Sequence, residues 1–136
     1  MMRRSKAKEL DLKVEAIFRD SVSVGVDPHT IGVGPSVAIP KLLKRNNLTL
    51  DDIDVFEISE EHASMVLYTI DALKIPEDKV NPWGGDIALG HPIGASAGII
   101  VAKLIDILKV NKLKRGIVTL CVGMGMGVAA LIELDE

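Results

Sequence analysis

A single cysteine, Cys121, serves a chain of 136 residues, so no internal disulfide can form, a usage that suits a reducing compartment. It also leaves no second thiol to act as a covalent nucleophile beside Cys121. No stretch approaches the roughly 18 consecutive apolar residues of a membrane span. The basic opening Met1-Met2-Arg3-Arg4-Ser5-Lys6 leads into no apolar run of signal-peptide type. An excess of one charge is lacking too: sixteen basic and nineteen acidic residues give a net −3, so no overall field recruits nucleic acid or an anionic membrane surface. His29, His62, His91 and Cys121 lack the close spacing of metal ligands, and no metal site is expected. What is present is 48% hydrophobic residues, enough for one compact, soluble domain with a buried core.

Local patterning divides that domain into alternating elements. Met1 to Leu10 is helical in composition without a capping residue ahead of it. Between Val14 and Val26, apolar residues at Val14, Ala16, Phe18, Val22, Val24 and Val26, interrupted by Asp20, predict a strand with one buried face. Asp27-Pro28 ends it, His29 is expected to meet solvent, and Gly32, Gly34 and Pro35 form a turn. Ser36 is then placed to cap a helix running to about Asn46 that hides Val37, Leu42 and Leu43 and exposes Lys41, Lys44 and Arg45. Val55 to Ile58 predicts a short strand, after which Ser59 starts a helix carrying Ala63, Val66, Leu67, Ile70 and Leu73 at helical spacing. Four glycines, two prolines and the permissive Asn81 make residues 81–94 a loop.

That loop feeds a helix from about Ala95 to Lys109, with Pro92 near its start. Ala97, Ile100, Val101, Leu104 and Leu108 share its apolar face, and Lys103 and Asp106 lie elsewhere. Ile117–Cys121 and Val128–Leu134 predict strands joined by the glycine-spaced turn Gly123-Met124-Gly125-Met126-Gly127. Strands alternating with helices and closing on a strand pair imply an α/β layered domain with a mixed sheet.

Two motifs in this framework carry chemistry. Gly90-His91-Pro92 places an imidazole in a loop entering a helix, whose partly positive N-terminal end disfavours imidazolium. A neutral ring there can accept a proton or polarise a carbonyl at an acyl group, or simply tether the loop. Cys121 stands at a strand end facing a turn whose glycines admit close backbone approach. It can cycle between thiol and thiolate as an acid/base with the Gly123 amide steadying an oxyanion, or be a small buried apolar residue. The glycine-x-glycine run precedes a strand, not the helix that a dinucleotide fingerprint requires. Glu57-Ile58-Ser59-Glu60-Glu61-His62 clusters carboxylates, a hydroxyl and an imidazole, and a Ser59 cap followed by acidic first-turn residues accounts for the pattern without chemistry.

These motifs resemble the C-terminal portion of thiolases. The resemblance runs through Gly32-Val33-Gly34-Pro35, Leu48 to Ile58, Val80-Asn81-Pro82, Gly84-Gly85, the segment Ala88 to Ala95 and Cys121-Val122-Gly123, nearly the whole chain, and the residues Arg3 to Leu10 resemble the peroxisomal 3-ketoacyl-CoA branch. It implies a thiolase-like layered α/β/α fold in which residues 1–10 end a helix of an N-terminal half that is not in this chain and residues 11–136 form the C-terminal domain. It further implies an acyltransferase of fatty acid metabolism that passes an acyl group between coenzyme A and an enzyme cysteine, cleaving a 3-ketoacyl-CoA or running the condensation in reverse. Acyl-CoA would be substrate, with no permanently bound cofactor. The expected location is soluble and intracellular, peroxisomal or cytoplasmic.

By the same resemblance His91 belongs to an oxyanion site and activates the nucleophile, Cys121 is the acid/base, and the Gly123 amide lines a second oxyanion site. Two departures stand out. The family's acylated cysteine lies in the N-terminal half, so the site is incomplete without a partner half or oligomer. The family's Asn-Glu-Ala-Phe motif aligns with Ser59-Glu60-Glu61-His62. There Ser59 would hold a catalytic water with one donor where asparagine has two, and Glu61 and His62 would bring polarity to the substrate side, with His62 against the coenzyme. The alternative is a non-catalytic thiolase-like binding or interaction module. β-Ketoacyl synthases resemble the chain less, since they use two histidines and a different glycine motif.

Overall fold

In the computed structural model, residues 1–135 are described; Glu136, the last residue of the expected 11–136 unit, lies outside them. Helix α1 (Arg4–Glu9) precedes strand β1 (Ala16–Gly25), helix α2 (Gly34–Arg45), strand β2 (Val55–Ile58), helix α3 (Ala63–Leu73), helix α4 (Ser96–Asn111) and the hairpin β3 (Arg115–Val122) and β4 (Met126–Leu134). The sheet runs β1-β4-β3-β2, with β1 and β3 antiparallel to β4 and β2 parallel to β3. It is mixed, as the sequence pattern implies.

Side-chain alternation along the strands builds two cores. Phe56, Ile58, Ile117, Ala129 and Leu131 pack with Ala38, Ile39, Leu42 and Leu43 of α2 and Val66 of α3. Val55, Val118, Ala130 and Ile132 pack with Ile100, Leu104, Ile107 and Leu108 of α4. Successive strand residues therefore feed opposite layers, which is the α/β/α arrangement. No helix among the described residues is long and apolar enough to cross a membrane.

Several local expectations are corrected. A register shift between Phe18 and Asp20 is a bulge, and a bulge exchanges the faces of the residues on its two sides. Val22 lies in the α2 core, whereas Ala16 packs on the α4 side and Phe18 is exposed; the strand does not bury one continuous face. Ser36 is not a cap, because α2 begins at Gly34 and the Ser36 hydroxyl donates to the Val33 carbonyl at 2.7 Å. Val37 is exposed in consequence of that phase, while Leu42 and Leu43 are buried. Helix α3 starts four residues after Ser59, with His62 at its N-cap position, and it buries Met65, Val66 and Thr69 while Leu67 faces out. In α4, Ala97 is exposed, and Lys103 shares the sheet-facing side with Ile100, Leu104 and Ile107.

Candidate functional site

The α2 layer supplies the setting of Cys121. Gly127 sits opposite Cys121 in the hairpin register. A Cβ on Gly127 would come within 2.5 Å of the Gly34 carbonyl, and one on Gly34 within 2.9 Å of the Gly127 Cα. Two glycines thus let the first turn of α2 lie directly on β4. The Gly34 N–H, which donates to the Ile31 carbonyl of the preceding turn, also lies where it favours the Cys121 thiolate. Cys121 is buried, and its thiol is pushed up to about 11, first by burial and next by the charge of Glu61, with the Gly34 N–H pulling the other way. At neutral pH it is a protonated thiol.

Each glycine in this turn has its own reason. Gly125 has φ +79, and a Cβ there would strike the Val26 carbonyl at 2.4 Å; Gly123, the candidate oxyanion donor, is exposed in open space with no positive φ.

His91 approaches through the loop that leads into α4. Its Nδ1 lies 2.9 Å from the Ser96 hydroxyl, which also donates to the Pro92 carbonyl at 3.2 Å. With its proton given to Pro92, the hydroxyl accepts from Nδ1–H, a tautomer assigned from this network that frees Nε2 for proton exchange. Nε2 lies 3.7 Å from Glu61 Oε1, and the ring is one-third exposed. Glu61 thus bears on both groups: it lies 3.7 Å from the His91 ring, and its charge raises the Cys121 thiol.

Ser59 is buried on a different errand from capping. Its hydroxyl donates to Asp86 Oδ2 at 2.9 Å, and its N–H donates to the Thr119 carbonyl at 3.0 Å. The one hydroxyl proton is therefore committed to Asp86. His62 is exposed at the start of α3, where its ring caps nothing. No group of three or more His, Cys, Asp or Glu fit to hold a metal occurs among the described residues.

The sequence reading named three further participants, Asn81, Glu57 and Lys103, without giving them a place in the site. Asn81, with φ +46, accepts from Ile58 N–H at 2.8 Å, donates to the Ile58 carbonyl at 2.9 Å and donates to Glu60 Oε1 at 3.1 Å. Its amide extends β2 as a further strand residue would and ties Glu60 to the loop. Glu57 is wholly buried, and Lys103 Nζ stands 2.7 Å from its Oε2. Their one sequence signal is a charge inside an otherwise apolar strand and another on the apolar side of a helix.

Comparison with known proteins fits this geometry. A family model described as "Thiolase, C-terminal domain" matches residues 12–134. The chain is 53% identical over 134 residues to a protein of Encephalitozoon cuniculi named 3-ketoacyl-CoA thiolase, peroxisomal, covering 98% of this chain and 34% of that one. Among solved structures, the acetyl-CoA acetyltransferase of Bacillus anthracis matches with a TM-score of 0.95 at 41% identity, and the dimeric peroxisomal thiolase of Saccharomyces cerevisiae with 0.90 at 45%. Each covers 98% of this chain, which in turn covers 34% of either structure. The chain spans about a third of the length of the curated relatives it matches. With nearly its whole length accounted for by that model and by these relatives, the chain belongs to the thiolase family, as a thiolase C-terminal domain.

Proposed function

We propose that this domain supplies the acid/base part of a 3-ketoacyl-CoA thiolysis and condensation site, with the nucleophilic cysteine contributed by a thiolase N-terminal half. The observation that carries the reading is the Glu61 carboxylate, which addresses both the His91 imidazole and the Cys121 thiol. In thiolysis, the partner's thiolate adds to the 3-keto carbonyl and His91 faces the oxygen that gains charge. The bond between C2 and C3 then breaks, and the carbanion left on the departing acetyl-CoA takes a proton from Cys121. Burial suits Cys121 to that step, because a thiol held well above neutral gives its proton only to a stronger base. Coenzyme A next releases the acyl group from the partner cysteine, and its thiol proton restores Cys121.

The Gly123 amide serves as a second oxyanion donor beside Cys121, Ser59 holds a water through its lone pairs, and exposed His62 meets the coenzyme. The peroxisomal names and the dimeric yeast structure among the relatives support a peroxisomal setting and a homo-oligomer. Mixing the chain with a thiolase N-terminal half and following acetoacetyl-CoA thiolysis tests the proposal. Turnover should appear only in the mixture and fall by about 10²–10⁴-fold with Cys121→Ala. Cys121-dependent turnover by the chain alone would overturn the need for a partner.

A second reading, a non-catalytic acyl-CoA-binding module, is favoured by the charge of Glu61 where the family has a small residue. It predicts coenzyme A binding, no turnover in any mixture and no response to Cys121→Ala.

A further inference from the structure

The loop that carries His91 is not held by apolar packing. Trp83, Ile87 and Leu89 are exposed, and a cleft of about 310 Å³ lies between them and Lys103. Its ties are polar: Ser59 to Asp86, Asn81 and the Ile87 N–H to Glu60, and Lys103 Nζ, which donates to the Gly84 carbonyl at 2.6 Å. Only the last of these reaches across from the α4 layer. The same ammonium forms an ion pair with Glu57 Oε2 at 2.7 Å, and no other group among the described residues hydrogen-bonds either Glu57 oxygen. A wholly buried carboxylate so poorly served is a cost to folding unless it holds something in place. The cation in front of it joins β2, α4 and the first glycine of the loop at one point.

We propose that Lys103 is a positioning residue: its ammonium, held by Glu57, latches the loop at Gly84 and so fixes the His91 ring against Ser96 and Glu61. The charged groups around the latch are Lys103 from α4, Glu57 from β2, Glu60 beyond β2 and Asp86 from the loop. A long cationic side chain suits the place because its several donors serve an anion and a carbonyl that lie in different directions. The inference takes its functional meaning from His91 as the working imidazole, but its test measures the loop and not turnover, so the two can fail separately.

The test is amide hydrogen exchange and ring ¹⁵N spectroscopy on the full chain. The Leu89 and Gly90 amides, both bonded to the Asp86 carbonyl, report the loop, and the amides of β3 report the fold. Lys103→Met should speed Leu89 and Gly90 at least about tenfold relative to β3 and shift the His91 ring signals. Lys103→Arg should restore both to within about twofold. If the lone carboxylate left by Lys103→Met unfolds the chain, the double variant Lys103→Met with Glu57→Gln keeps the measurement, and the same loosening is expected. Loop amides that keep their wild-type ratio to β3 in the folded methionine variant, or an arginine variant that folds yet leaves the loop loose, would overturn the latch.

Discussion

Two glycine-rich segments carry the candidate acid/base groups, and different forces hold them. Around Cys121 the turn of residues 123–127 is fixed by backbone against backbone, Gly127 on Gly34 and Gly125 on Val26, in an interior where the thiol is kept neutral. Around His91 the loop of residues 81–94 is fixed by hydroxyls, an amide and charges, while its apolar side chains face outward. The first arrangement rests on packing and tolerates no added volume at Gly125 or Gly127. The second has open space beside Gly84, Gly90 and Gly94 and depends on which of its groups are charged. The buried thiol is set in packing, and the partly exposed imidazole is set in a polar network.

Volume should break the first segment. Gly127→Ala puts a methyl 2.5 Å from the Gly34 carbonyl, backbone that cannot swing aside, and should cost about 3 kcal/mol in denaturant unfolding. Charge should break the second. Glu57 is raised to about 7 from 4.5, above all by burial, with Lys103 opposing and Asp86 and Glu60 adding to the rise. A carboxyl whose pKa is higher folded than unfolded binds more protons when folded, so its contribution is full below about pH 4.5 and is lost as pH climbs through about 7. Unfolding free energy should fall by about 2 kcal/mol between about pH 5 and about pH 7 on this account, and Glu57→Gln should flatten that slope. An equal slope in the variant would assign the pH dependence elsewhere. At the small end, Gly123→Ala adds a methyl in open space at ordinary φ and should change stability by less than about 0.5 kcal/mol. A large loss there would erase the distinction drawn among the glycines of the turn.

What was legible in the sequence divides along the same line. Val55–Ile58 and the closing hairpin follow from runs of β-branched residues around a glycine turn, and the family follows from the Gly90-His91-Pro92 and Cys121-Val122-Gly123 motifs. Ser59 misled because a hydroxyl followed by two carboxylates reads locally as a helix cap, whereas the chain end of β2 is captured by Asn81 and Asp86 from a distant loop. The buried face of β1 misled because one bulged residue reverses alternation. Lys103 was set apart from the apolar face of its helix because a charge counts as exposed until its partner is known, and Glu57 lies on another element. Gly34 and Gly127 each look like ordinary turn glycines, and only their contact shows why both lack a side chain. Short-range rules reached the elements; the site depends on pairs that only folding brings together.

The claim on which the rest depends is that His91 and Cys121 share the Glu61 carboxylate, and titration of the Cys121 thiolate by ultraviolet absorbance in wild type and Glu61→Gln, with His91 ring ¹⁵N shifts read in parallel, tests it most directly. The account predicts that the thiol comes down from about 11 toward 9.0 without reaching it, since burial remains the larger cause, and that the ring signals move in the same variant. A thiol that titrates unchanged, or a ring that does not respond, would show that the two groups do not meet at Glu61.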